Sequence, residues 1–149
     1  MKTTSYAVMS EFMHLLETIA NAKTRLLDFG DGMVFYRGEI HLIKVIGDHP
    51  GMFLSEIARW FHVTRAVISK MVLKLERNGY VRKAADPDDK KRVRLFLTER
   101  GEAAFRAHAA FHAANDIPVY AYLNELDEAE LNHIAGFLQK ARQMVERHF

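Results

Sequence analysis

At 149 residues the chain is expected to form one folding unit, long enough to bury a core without disulfide or metal staples. Hydrophobic residues at 49% and charged residues at 27% exclude a wholly disordered chain, and the absence of cysteine excludes disulfide scaffolds, thiolate metal sites and cysteine nucleophiles. The net charge of +2 conceals a division: residues 59–100 hold twelve Lys and Arg against five acids, a balance of +7, and the remainder holds nine against fourteen, a balance of −5. A basic middle between acidic ends is the electrostatic footprint of a polyanion site.

No apolar run approaches the ~18 residues that span a bilayer. The start of the chain is interrupted by Glu11, His14 and Glu17 and does not read as a signal peptide, so a cytoplasmic protein is expected. Residues 6–29 read as one long helix. Val8, Phe12, Leu15, Ile19, Ala22, Leu26 and Phe29 recur at four-three spacing, and Tyr6, Met9, Met13, Leu16, Ala20 and Leu27 add a second stripe. So wide an apolar surface is expected to face both its own chain and a partner. Phe29 to Gly38, with three glycines, reads as a break. A second helix is predicted over about 39–47, and His49-Pro50-Gly51 turns the chain.

Leu54, Ile57, Ala58 and Phe61 mark a short amphipathic helix, followed by a turn at His62-Val63. Thr64 is a good N-cap, and Val67, Ile68, Met71, Val72 and Leu75 supply the buried face of the next helix, with Gly79 as its left-handed C′ residue. Residues 80–83 and 93–97 read as two strands around the charged hairpin loop Asp86 to Lys91. Thr98 caps a helix running to about Asn115, Pro118 marks an interruption, and Asp127-x-x-Glu130 is a capping signature for a last helix.

This order, helix, tight turn, helix, basic hairpin, is that of a winged helix-turn-helix, in which the second helix enters the major groove of a duplex. Its outward residues here are Arg65, Ala66, Ser69, Lys70, Lys74 and Arg77, beside the capping Thr64, and the hairpin adds Lys90, Lys91, Arg92 and Arg94. Arg65 and Ser69 sit where base edges are read. Lys70, Lys74, Arg77 and the wing suit phosphates and the minor groove. The alternative is a winged-helix module that binds protein. Catalysis is not indicated: there is no Gly-rich phosphate loop and no nucleophile elbow, and His108-x-x-x-His112 lacks the Glu of zinc proteases. Ser55, Ser69 and His62 lie near helix ends, where capping and DNA contact explain them.

The stretch from Leu54 to Gly101, above all Asp86-Pro87-x-Asp89 leading to Leu97-Thr98-Glu99-x-Gly101, resembles the core of the MarR family of bacterial transcription regulators, and the flanking helices match that layout. The resemblance implies a mainly α winged-helix fold over 1–149. Residues 5–37 and 101–149 would be dimerisation helices around a DNA-binding lobe at 38–100. It also implies a homodimer, typically a repressor, on a pseudo-palindromic operator in double-stranded DNA. Two positions depart from the pattern. The wing brace of Asp and Arg falls on Asp89 and Lys91, losing the bidentate fork and leaving Arg92 to replace it or to read DNA. Phe53 stands where a Ser or Thr cap is usual.

Two effectors fit this reading. His108 and His112 share a helix face at i, i+4, a spacing that suits two imidazoles on one metal. The resemblance to the zinc-responsive branch places His41 with them, with a carboxylate from Asp28, or else Asp31 or Glu17, as fourth ligand. Nickel, cobalt or iron would also suit such a site. That branch's auxiliary site is expected to be absent, because the chain has no Cys and carries Ile40 and Ala107 at two of its positions. The alternative is a small aromatic or phenolic ligand in a crevice lined by Phe12, Phe29, Phe35, Tyr36, Phe105 and Phe111, with His41 and His108 as hydrogen-bond partners.

Overall fold

Thr4 starts the first helix, its hydroxyl accepting the Ala7 N–H at 3.2 Å, and α1 runs Ser5–Ala22 in a computed structural model that describes residues 2–148. The helix predicted to reach residue 29 therefore ends earlier. Leu26–Asp28 forms β1, paired antiparallel with β2 (Val34–Tyr36) in the register Leu26↔Tyr36, Leu27↔Phe35, Asp28↔Val34. Gly30, Asp31 and Gly32 all have φ between 52° and 87°, and Asp28 Oδ1 accepts the Gly30 N–H at 2.8 Å. A right-handed helix cannot pass three left-handed residues. Once that turn closes, residues 26–28 belong to the hairpin.

The hairpin delivers the chain into α2 (Arg37–Asp48), whose start is tied by Glu39 Oε2 accepting the Tyr36 N–H at 3.0 Å. Then come α3 (Leu54–Trp60), α4 (Arg65–Arg77), β3 (Val81–Ala85), β4 (Val93–Leu97), α5 (Glu99–Asn124) and α6 (Glu128–His148). The helix-turn-helix stands where expected, with Thr64 Oγ1 capping α4 through the Val67 N–H at 3.4 Å. His62, in the turn, has φ 53°, a conformation His tolerates better than most side chains. β3 and β4 pair Val81↔Leu97 through Ala85↔Val93. The buried face of α4 is narrower than predicted: Ile68, Val72 and Leu75 are enclosed, but Val67 is 46% exposed.

The chain divides into two compact units after Ala110, inside α5. The core of the first gathers Phe35, Ile40, Leu42, Ile43 and Ile46 with Ile57, Ile68, Val72, Leu75, Val81 and Leu95, so α2 supplies its centre. Helix α1 buries no residue. In the second unit α5 continues through Pro118, where an interruption was expected. Proline removes one i→i−4 bond at about 3 kcal/mol, and here that loss does not turn the backbone out of helix. The capping box of α6 is reciprocal: Glu130 N–H donates to Asp127 Oδ1 at 2.8 Å and Asp127 N–H to Glu130 Oε2 at 2.9 Å. Among the described residues no helix is long and apolar enough to cross a membrane.

Gly101, in the first turn of α5, lies flush against the Tyr80 carbonyl, and an added Cβ would overlap that oxygen. Gly79 has φ +77° with open space around its Cα. Gly79→Ala should therefore cost only the left-handed penalty of about 1–2 kcal/mol. Gly101→Ala must displace backbone and should cost more. Thermal unfolding at one fixed protein concentration checks the order; equal midpoints for the two variants would overturn it.

Candidate functional site

Two clusters of chemistry-bearing side chains stand out, and the first lies along α4 and the wing. Arg65, Ala66, Ser69, Lys70, Lys74 and Arg77 are all exposed, as the helical spacing predicts. Beside the start of α4 a groove of about 370 Å³ is lined by Phe53, Ser55, Arg65, Ser69, Lys91 and Arg92, so the helix and wing present one concave cationic surface. Thr64 is engaged as the α4 cap.

The cations on this surface are not equivalent. Lys74 Nζ is hydrogen-bonded to Glu39 Oε1 of α2, and sits 4.9 Å above the Tyr36 ring. Glu39 is 7% exposed and serves both Lys74 and the Tyr36 N–H. Arg94 donates to the Gly51 carbonyl at 3.1 Å, pairs with buried Asp86 at 3.5 Å and lies 4.3 Å from the Phe53 ring centre. Both side chains, which were expected to meet DNA, also have partners of their own within the first unit. Among the described residues, no hydrogen bond or ion pair engages the charged groups of Arg65, Lys70, Arg77, Lys90, Lys91 or Arg92. At the brace positions, where the loss of the fork was expected, Asp89 Oδ1 accepts the Lys91 N–H at 3.0 Å. Arg92 lies instead over Phe53, 3.4 Å from the ring centre.

The second cluster is formed by histidines. His41 of α2 and His108 of α5 place their rings 5.6 Å apart, and Phe29 meets His108 edge-on at 5.8 Å. His108 is 3% exposed. His112 follows one turn along the same helix, and one ligand nitrogen from each of the three lies within 4.8 Å of the others. Tetrahedral zinc at ~2.0–2.1 Å from each nitrogen requires separations of about 3.4 Å, within reach of small ring rotations. Asp28, Asp31 and Glu17 are not in the cluster. Asp28 caps the β1–β2 turn through Gly30, and strand alternation turns it away from the side on which Phe29 packs. Asp116 Oδ2 lies 3.3 Å from His112 Nδ1, one turn further along α5.

Of the aromatic candidates, Phe35 is 2% exposed and stacks on Tyr80 at 4.8 Å, Phe29 and Phe105 pack against the core, and Tyr36 lies under Lys74. Sequence reasoning missed Glu39, Phe53 and Asp116 as working residues. Glu39 and Glu56 each stand three residues after a helix-capping position, and Asp116 four after His112, so the spacing signal was present.

The MarR family model matches residues 35–93. The HTH-type transcriptional regulator BilQ of Clostridium symbiosum (strain WAL-14163) is 30% identical over 112 residues, covering 74% of this chain and 75% of BilQ. The chain spans 63%, 82% and 75% of the lengths of three curated regulators that it matches. Streptococcus pneumoniae FabT in complex with DNA aligns with a TM-score of 0.70 and 25% identity over 96% of this chain and 99% of that one. A zinc-responsive MarR family member, Lactococcus lactis ZitR, aligns with a TM-score of 0.77 and 19% identity over 95% of this chain and 99% of that one.

The Glu39–Lys74 contact yields a double-mutant test. Lys74 is half exposed, so Lys74→Ala should cost only about 0.5–1 kcal/mol. Glu39→Ala removes the Tyr36 cap as well and should cost about 2 kcal/mol. Lys74→Ala should cost less in the Glu39→Ala background than alone. Strict additivity in denaturant unfolding would show that the pair is not coupled.

Proposed function

The chain belongs to the MarR family of transcription regulators, which are DNA-binding proteins and not enzymes, and from that premise we propose that it acts in the cytoplasm as a homodimer on a pseudo-palindromic operator, its DNA affinity set by a transition metal on His41, His108 and His112. The observation that carries the DNA-binding half is the exposed arc of α4, where Arg65, Lys70 and Arg77 stand beside Ser69 and the cationic groove. Arg65 and Ser69 read base edges there. Lys70, Arg77 and the wing residues Lys90, Lys91 and Arg92 neutralise phosphates. Dimerisation accounts for α1, whose Tyr6, Val8, Met9, Met13, Leu15 and Ile19 are all exposed in the single chain.

The metal half rests on the mutual approach of three imidazoles, one of them nearly fully buried. Neutral imidazoles at this separation suit zinc, nickel, cobalt or iron. The three histidines would hold the metal, with the fourth position filled by a carboxylate or water. The metal's contribution would be that of a cross-link between imidazoles of α2 and α5. His41 lies two residues from Glu39, the partner of Lys74, so the cross-link acts on the helix that braces α4.

For DNA, Arg65→Ala should relax sequence preference by about 1–3 kcal/mol at one base pair. Lys70→Ala should weaken all sequences alike and reduce the slope of log affinity against log salt by about 0.9. Equal loss from Arg65→Ala on selected and random duplexes would remove it from base reading. For the metal, calorimetry on chelator-stripped protein should give one zinc per chain, lost in His108→Ala/His112→Ala. Zinc should shift DNA affinity by about 5–150-fold, the usual span of allosteric coupling. Undiminished binding in the double variant would overturn the metal assignment.

A further inference from the structure

We propose that Phe53 is a positioning residue for DNA recognition: its ring holds the Arg92 guanidinium by a cation–π contact and leaves that group's N–H donors directed at the duplex. The inference rests on the DNA-binding reading and assigns a residue that reading does not use.

The placement of the ring is fixed by backbone. Phe53 is the N-cap residue of α3 but has no side-chain acceptor to cap with; its own N–H donates to Glu56 Oε2 at 2.9 Å. On its other side it bridges Arg94 of β4, so the residue stitches the start of α3 to the wing. Two guanidiniums then meet its ring. Arg94, at 4.3 Å, is already engaged by Gly51 and Asp86 and acts as an anchor. Arg92, at 3.4 Å, is exposed, and among the described residues its guanidinium makes no hydrogen bond or ion pair. A guanidinium held by its face keeps all five N–H groups in the plane, available at its edge. Those donors border the groove that Arg65, Ser69 and Lys91 also line. The wing lacks an acid–arginine fork at Asp89 and Lys91, and the aromatic ring supplies the missing restraint from outside the wing.

The test uses the full chain and an operator obtained by selection from a random duplex library. Phe53→Leu, which keeps apolar bulk but loses the ring, should weaken operator binding about 3- to 10-fold, and Phe53→Tyr should stay within about twofold of wild type. The Phe53→Leu/Arg92→Ala double variant should bind no more weakly than Arg92→Ala alone. Wild-type affinity in Phe53→Leu, or losses that multiply in the double variant, would overturn the proposal. Should Phe53→Leu fold poorly, mono-, di- and trifluorophenylalanine at position 53 preserve the shape while draining the ring's negative face. Affinity should then fall stepwise, and a flat series overturns the assignment. A wild-type chain that enriches no sequence from the library overturns the DNA-binding reading and this inference together, whereas a flat series on an enriched operator overturns this inference alone.

Discussion

The relative placement of α4, the wing and α5 depends on the packing around the Tyr80 backbone. Its N–H donates to the Leu75 carbonyl at 2.9 Å while Gly79 N–H donates to Glu76 at 3.0 Å, the paired bonds of a Schellman cap that ends α4. Its carbonyl accepts the Thr98 N–H at 3.1 Å, and Gly101 lies against the same oxygen. Thr98 donates its hydroxyl to Gly79 and accepts from Gly101 at 3.1 Å, so it caps α5 while clasping the end of α4. The Tyr80 ring packs on Phe35 at 4.8 Å and carries Arg100 at 4.5 Å. The end of α4, the base of the wing and the start of α5 thus meet at one peptide unit. Only a residue without Cβ at 101 permits that approach, which gives the Leu97-Thr98-Glu99-x-Gly101 motif a steric reason.

With that frame rigid, the basic middle of the chain sorts into two sets by what each cation touches. Lys74 is tied to Glu39, Lys83 to Glu76, and Arg94 to Asp86 and Gly51. Arg100 reaches the Asn78 carbonyl at 3.0 Å, and Arg82 covers Phe96 at 4.4 Å. These residues use charge and alkyl stem to hold helix ends and strands together. Among the described residues, the charged groups of Arg65, Lys70, Arg77, Lys90, Lys91 and Arg92 are paired with no acid, and these side chains are exposed on α4 and the wing. The local excess of +7 therefore overstates the charge available to a polyanion, since part of it is neutralised within the fold.

Periodicity carried far where one face met one core. The helix-turn-helix, the wing strands, the Gly79 stop and the Asp127–Glu130 box all stand where spacing put them. It failed where an apolar stripe served two purposes. Leu26, Leu27 and Phe29 continue the four-three pattern of α1, yet the same residues fit a strand, and the decision falls to the left-handed turn at Gly30-Asp31-Gly32. Val67 keeps helical spacing with the core residues of α4 but lies at the edge of the arc, beyond what α2 and α3 cover. Pro118 has no local partner that reveals whether the helix survives it. At the site, residue types at fixed spacing were legible: His108 and His112 lie one turn apart, and His41 joins them. The partners of charges were not, because Glu39 meets Lys74 across 35 positions and Phe53 meets Arg92 across three intervening elements, α3, α4 and β3.

Helix α2 joins these two levels. Its apolar face, Ile40, Leu42, Ile43 and Ile46, is fully enclosed, so it cannot shift without moving the core. Its polar residues are placed at the edges of that face: Glu39 reaches α4 through Lys74, and His41 reaches α5 beside His108. Gly47 lies against the Phe105 ring, where an added Cβ would clash, so α2 and α5 are packed too closely to slide freely. A restraint added at His41 and His108 would therefore be felt through a closely packed helix that also reaches α4 through Glu39. Close packing makes such an element respond by small rigid displacements, not by local softening. His41 and Glu39 thus connect α5 and α4 through one helix whose packing is already required for stability.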